Sequence, residues 1–124
     1  MARILVVDDV PGMRALTATL LRYAGHEADT AAGGRQALEK VYKHPPDLLL
    51  LDLSMPDVDG FAVLEHLCRH CNGSPPVPVV IFSANDDDES RRRAMELGAV
   101  GYVLKGDTDN DAILEEVLAC ASLH

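Results

Sequence analysis

Tryptophan is absent from this 124-residue chain, and two phenylalanines and three tyrosines are its only aromatics. Packing therefore falls to aliphatic side chains, and the aromatic pair that usually sandwiches a flavin is missing. Basic residues are also scarce: 11 Lys and Arg stand against 20 Asp and Glu, a formal net charge of -9. That balance argues against direct binding to nucleic acid or an anionic membrane, which need basic patches. No segment approaches the roughly 20 apolar residues that span a bilayer. Met1-Ala2-Arg3 runs straight into a predicted strand, so no signal peptide is expected. Three cysteines are an odd count without secretory features, which predicts reduced thiols and a cytoplasmic location. There is no P-loop, and Gly33-Gly34 lacks the G-x-G-x-x-G spacing of a dinucleotide site.

What is present is alternation. Short aliphatic runs at 4–7, 27–31, 48–51, 79–82 and 100–104 read as strands, each followed by a helical pattern. Pro11 suits the first turn of a helix that Gly25 ends, and Pro45-Pro46 stops the second. The third helix is expected over 59–71, beyond the turn residues Pro56, Asp57, Asp59 and Gly60. Asp86 with Glu89 reads as a capping box opening a fourth helix, closed by Gly98. Ile113, Val117, Cys120 and Ala121 share one face of a fifth. Five strands alternating with five helices predict one α/β domain over 1–124, a doubly wound parallel sheet covered on both sides.

The stretch that organises the chain is Leu48 to Leu51, followed by Asp52. Four consecutive leucines suit a strand buried on both faces. In an open α/β sheet, the carboxyl end of such a strand is where ligands bind. The other strands end in Asp8-Asp9, Ser83 and Lys105. Neighbouring strands lie only ~5 Å apart, so the three carboxylates repel unless a cation joins them. Oxygen donors with room for water suit Mg²⁺. Asp8 and Asp9 are candidate metal holders, with the Ser54 backbone carbonyl as a third oxygen. Asp52 is the candidate nucleophile, able to form an acyl phosphate. Lys105 and the metal would neutralise the transferring group, and the Ser83 hydroxyl would hydrogen-bond a phosphoryl oxygen.

Asp8-Asp9, Asp52 with Met55-Pro56 and Gly60, Ser83-Ala84, and Gly101-Tyr102-Val103-Leu104-Lys105 occur in order along the chain. In these motifs the chain resembles the receiver domains of two-component response regulators, over its whole length. The resemblance implies strand order 2-1-3-4-5 and Mg²⁺-dependent phosphorylation of Asp52 by the phosphohistidine of a sensor histidine kinase or a histidine phosphotransfer protein. It implies a switch in which Ser83 swings toward the phosphoryl group and Tyr102 enters the vacated space, with small Ala84 leaving room. Ser54 and Asn85 match positions that tune phosphoryl lifetime. The fourth helix, fifth strand and fifth helix would form the surface for a downstream protein or a phosphorylation-dependent dimer. One departure is Gly106, where the family usually has proline after the lysine.

The expected function is thus a signalling switch, not an enzyme beyond catalysing its own phosphorylation and dephosphorylation. It is either a stand-alone regulator or a piece of a longer one with a DNA-binding or enzymatic output domain. An aspartate-nucleophile phosphatase is the enzyme rival; such sites usually place a second aspartate where Ser54 stands here. His66, Cys68, His70 and Cys71 suggest a zinc site by spacing. On a helix, however, the cysteines fall on the stripe with Phe61, Leu64 and Leu67, and the histidines lie nearly opposite. Four ligands cannot converge from opposite faces, so core cysteines and a solvated histidine pair are expected. Arg91 to Arg93 either balance the acidic run before them or form part of a docking face.

Overall fold

The computed structural model describes residues 2–70, 73, 75–85, 87–105, 115 and 117–119. Five strands, β1 (Arg3–Val7), β2 (Glu27–Ala31), β3 (Leu48–Leu51), β4 (Val79–Ser83) and β5 (Gly101–Leu104), form one parallel sheet in the order β2-β1-β3-β4-β5. Between them run α1 (Pro11–Tyr23), α2 (Gly34–Lys43), α3 (Gly60–His70) and α4 (Asp88–Glu96). Residues 115 and 117–119 are also helical. Of the stripe predicted for the last helix, Val117 is buried, while Ile113, Cys120 and Ala121 lie outside the described residues.

The leucine run is buried as its composition requires. Side chains alternate across a strand, so Leu49 and Leu51 enter one layer while Leu48 and Leu50 enter the other. The first layer holds Leu5, Val7, Val79 and Ile81 against Ala37 and Val41 of α2, Val63, Leu64 and Leu67 of α3, and Ala94 of α4. The second holds Ile4, Val6, Val80, Phe82 and Val103 against Leu21 of α1 and Val117. β2 is an edge strand with exposed Glu27 and Asp29, which explains its weak apolar pattern.

Helix ends follow local chemistry with one correction. The cap of α4 is Asp87 rather than Asp86, which lies outside the described residues. The Asp87 carboxylate accepts the Glu89 amide at 3.2 Å and the Ser90 hydroxyl at 3.2 Å. Asp59 opens α3 by accepting the Ala62 amide at 2.8 Å. Gly25 (φ +94°) and Gly98 (φ +103°) take the left-handed conformation that ends α1 and α4 at low steric cost. β5 begins one residue later than expected, and Val100 is exposed. No described helix is long and apolar enough to cross a membrane.

Candidate functional site

The sheet register carries the polar strand ends into one place. Val7 stands opposite Leu51, and the ladder continues one residue further, the Asp52 amide donating to the Val7 carbonyl at 3.0 Å. On the other side of β1 the Asp8 amide donates to the Ala31 carbonyl at 3.2 Å. Beyond the β4–β5 pair the Lys105 amide donates to the Ser83 carbonyl at 2.9 Å. Asp8, Asp52, Ser83 and Lys105 are therefore held by the hydrogen bonding that builds the sheet. Strand order reverses between β1 and β3, the position where doubly wound sheets form their ligand crevice.

Asp8, Asp9 and Asp52 bring one carboxylate oxygen each within 4.8 Å of one another. Asp8 and Asp52 are buried at 3% and 6% exposure, so their mutual repulsion is poorly screened, and Asp9 is half-buried. Lys105 answers part of that charge: its ammonium lies 2.7 Å from Asp8 Oδ2 and 3.4 Å from Asp52 Oδ2. Asp8 Oδ1 accepts the Val10 amide at 3.0 Å, and Asp52 Oδ1 accepts the Ser54 amide at 3.3 Å. Burial raises the Asp52 carboxyl above its ordinary range; Lys105 opposes the rise and Asp8 adds to it. Three hard oxygen donors in this compass fit a small divalent cation such as Mg²⁺, which keeps several waters rather than an all-protein cage. Ser54 is exposed beside them.

Gly60 belongs to the site through its missing side chain. A Cβ there would press into the Asp52 carbonyl oxygen and come within 2.7 Å of Leu53 Cα. The start of α3 is thereby seated directly on the backbone that presents Asp52. Nothing in the local sequence pattern announces this contact, because it is made across the turn.

Ser83 is buried at 1% exposure and its hydroxyl oxygen accepts the Asn85 amide at 3.1 Å. Tyr102 is also buried, its hydroxyl donating to the Asn85 carbonyl at 2.7 Å. Asn85 thus joins the two through its own peptide groups, and its Oδ1 accepts the Asp87 amide at the cap of α4 at 2.9 Å. Ala84 and Asn85 are exposed. Arg91 places its guanidinium 4.8 Å from the Tyr102 ring centre, and Arg93 lies 4.3 Å from that of Phe61. Expected either to balance charge or to form a docking face, both arginines also lie over aromatic rings.

Of the four spacing-selected residues, His66, Cys68 and His70 lie on α3. His66 and His70 share a face, with ring centres 4.3 Å apart. Cys68 corrects the expectation of a core cysteine: it is only half-buried, and its thiol donates to the Gly73 carbonyl at 3.1 Å. Cys71 and Gly106 lie outside the described residues.

Comparison with known proteins identifies the family and the fold. Residues 4–118 match the family model described as the response regulator receiver domain. The chain is 35% identical over 118 residues to a gliding motility regulatory protein of Myxococcus xanthus, covering 93% of this chain and 15% of that one. It is 36% identical over 105 residues to the transcriptional regulatory protein KdpE of Mycobacterium tuberculosis, covering 85% and 45%. Among solved structures, the chemotaxis protein CheY4 of Vibrio cholerae superimposes with a TM-score of 0.85 at 29% identity, covering 96% of this chain and 97% of that one. The chain spans only 15% and 45% of the lengths of the two curated relatives named.

Proposed function

The chain belongs to the response regulator receiver domain family, and from that premise we propose that it is a phosphorylation-controlled switch, one domain over 1–124, whose acceptor is Asp52. The observation that carries this reading is the position of Asp52. It is a buried carboxylate at the end of the central leucine strand, 3.4 Å from the Lys105 ammonium and grouped with two further carboxylates.

The reaction proposed is transfer from a phosphohistidine of a histidine kinase or phosphotransfer protein. An Asp52 carboxylate oxygen forms the new bond to phosphorus, the bond from phosphorus to the imidazole nitrogen breaks, and that nitrogen keeps the electron pair. Asp8, Asp9 and Asp52 with the Ser54 carbonyl would hold Mg²⁺, which when bound neutralises charge on the transferring group. Lys105, already beside Asp52, supplies a second positive charge to the phosphoryl oxygens. Hydrolysis of the acyl phosphate resets the switch, at a rate tuned by the exposed side chains of Ser54 and Asn85.

The conformational readout follows from the Asn85 peptide groups. A Ser83 hydroxyl turned toward a phosphoryl oxygen rearranges its contact with the Asn85 amide, while the same residue's carbonyl holds Tyr102 and its side chain holds the cap of α4. A local charge change therefore biases a segment with two arrangements. Ala84 leaves room for the movement. The output is protein contact through α4, β5 and the helix that follows, either with a downstream protein or with a second copy. A cytoplasmic location goes with a histidine kinase as donor.

A second reading, favoured by the small share of each curated relative that the chain covers, is that this domain controls an attached DNA-binding or enzymatic output domain. The acceptor is tested by intact-mass measurement after incubation with acetyl phosphate. One phosphoryl mass is gained with Mg²⁺, and none with a chelator or in Asp52→Asn. The same gain in Asp52→Asn would move the nucleophile elsewhere.

A further inference from the structure

The residues that α2 and α3 bring together carry a donor chemistry different from that of the carboxylate site. His66 and His70 stand one helical turn apart on α3, ring centres 4.3 Å apart and planes tilted by 32°. Tyr42 of α2 lies against His66, its hydroxyl oxygen 3.2 Å from Nδ1 and the rings edge to face at 5.8 Å. His70 is exposed and His66 half-buried, so solvent reaches both residues while the Tyr42 contact sets the direction of the His66 ring.

We propose that His66 and His70 form a two-histidine site for a borderline transition-metal ion such as Zn²⁺, oriented by Tyr42. Imidazoles at i and i+4 project from one face of a helix, the spacing by which two histidines chelate a single ion. Modest ring rotation brings both outer nitrogens to ~2.0–2.1 Å from a common centre. In the metal-bound form His66 Nδ1–H donates to the Tyr42 oxygen, which leaves Nε2 as the ligand atom. A partner on the non-ligating nitrogen is the arrangement that fixes tautomer and ring direction at metal sites. Cys68 takes no part, because its thiol is engaged with the Gly73 carbonyl. The remaining positions are left to water. Hard Mg²⁺ prefers the oxygen cluster and the softer ion the imidazoles, so the two sites select different metals. Bound metal would also fasten the Tyr42–His66 contact that joins α2 to α3.

The test is titration of the intact chain with Zn²⁺ at saturating Mg²⁺, followed by calorimetry and by NMR of the histidine rings. One Zn²⁺ binds, the His66 and His70 resonances move together, and His66→Ala or His70→Ala each weakens binding at least tenfold. Tyr42→Phe weakens it by ~10-fold, as loss of an orienting partner does, and Cys68→Ser leaves it unchanged. Circular dichroism confirms that these surface variants fold. Affinity retained in the double His66→Ala/His70→Ala variant, loss of binding in Cys68→Ser, or histidine resonances that do not move would each overturn the proposal.

Discussion

Replacing Lys105 by alanine separates two roles of one charge. The ammonium is 2.7 Å from Asp8 and 3.4 Å from Asp52, with the lysine side chain only 13% exposed. At an effective dielectric of ~20, a unit pair at 2.7 Å interacts by roughly 6 kcal/mol, gross of desolvation. Breaking a buried pair from one side costs about 3 kcal/mol or more, because the abandoned charge stays buried. Lys105→Ala is therefore expected to lose about 3 kcal/mol of stability in magnesium-free buffer. Magnesium binding moves the opposite way. The same ammonium repels a divalent ion on the same oxygens, by roughly 7 kcal/mol at ~5 Å and the same effective dielectric of ~20, again gross of desolvation. Bound water and desolvation offset most of that, and a net gain of at least tenfold in affinity, about 1.4 kcal/mol, is expected. Urea unfolding with and without Mg²⁺, and calorimetric Mg²⁺ titration, read the two quantities separately. A variant that binds Mg²⁺ no more tightly than the parent would refute the idea that lysine and metal compete for these carboxylates.

Two further outcomes follow from the same geometry. Burial raises the Asp52 carboxyl, so its neutral form is favoured in the fold; the stability this contributes is full below the ordinary value of 3.8 and lost as pH rises through the higher folded value. Asp52→Asn is expected to be more stable than the parent at neutral pH in magnesium-free buffer, with the gap closing on acidification; an equal gap at all pH values in denaturant melts would contradict this. Gly60→Ala presses a methyl group into the Asp52 carbonyl and should cost about 1–3 kcal/mol. It should also weaken Mg²⁺ binding by displacing the strand end, whereas a fully parental melting temperature and affinity would show that α3 yields freely.

The sheet was legible because its five strands end in turn residues and its central strand is apolar at every position. Parallel pairing then does the rest: once β1, β3, β4 and β5 lie in register, Asp8, Asp52, Ser83 and Lys105 have one edge to occupy. What was not legible depends on contacts between elements. Gly60 reads as a turn residue, yet its importance is the closeness of Asp52's backbone. Arg91 and Arg93 read as balancing or docking charges, yet they lie over Tyr102 and Phe61. Cys68 falls on the apolar stripe of α3, but periodicity does not reveal how far a neighbouring element covers a stripe's edge. Adjacent Asp86 and Asp87 carry the same capping chemistry, so composition alone does not choose between them; the structure chooses Asp87.

Crowded carboxylates are completed by a divalent ion, and Asp9 is the best probe of this because, among the described residues, it lies in the cluster without an ion pair to Lys105. Calorimetric titration with Mg²⁺ is expected to give one ion per chain, bound at least tenfold more weakly by Asp9→Asn. No binding heat in the parent, or identical affinity in the variant, would contradict the account.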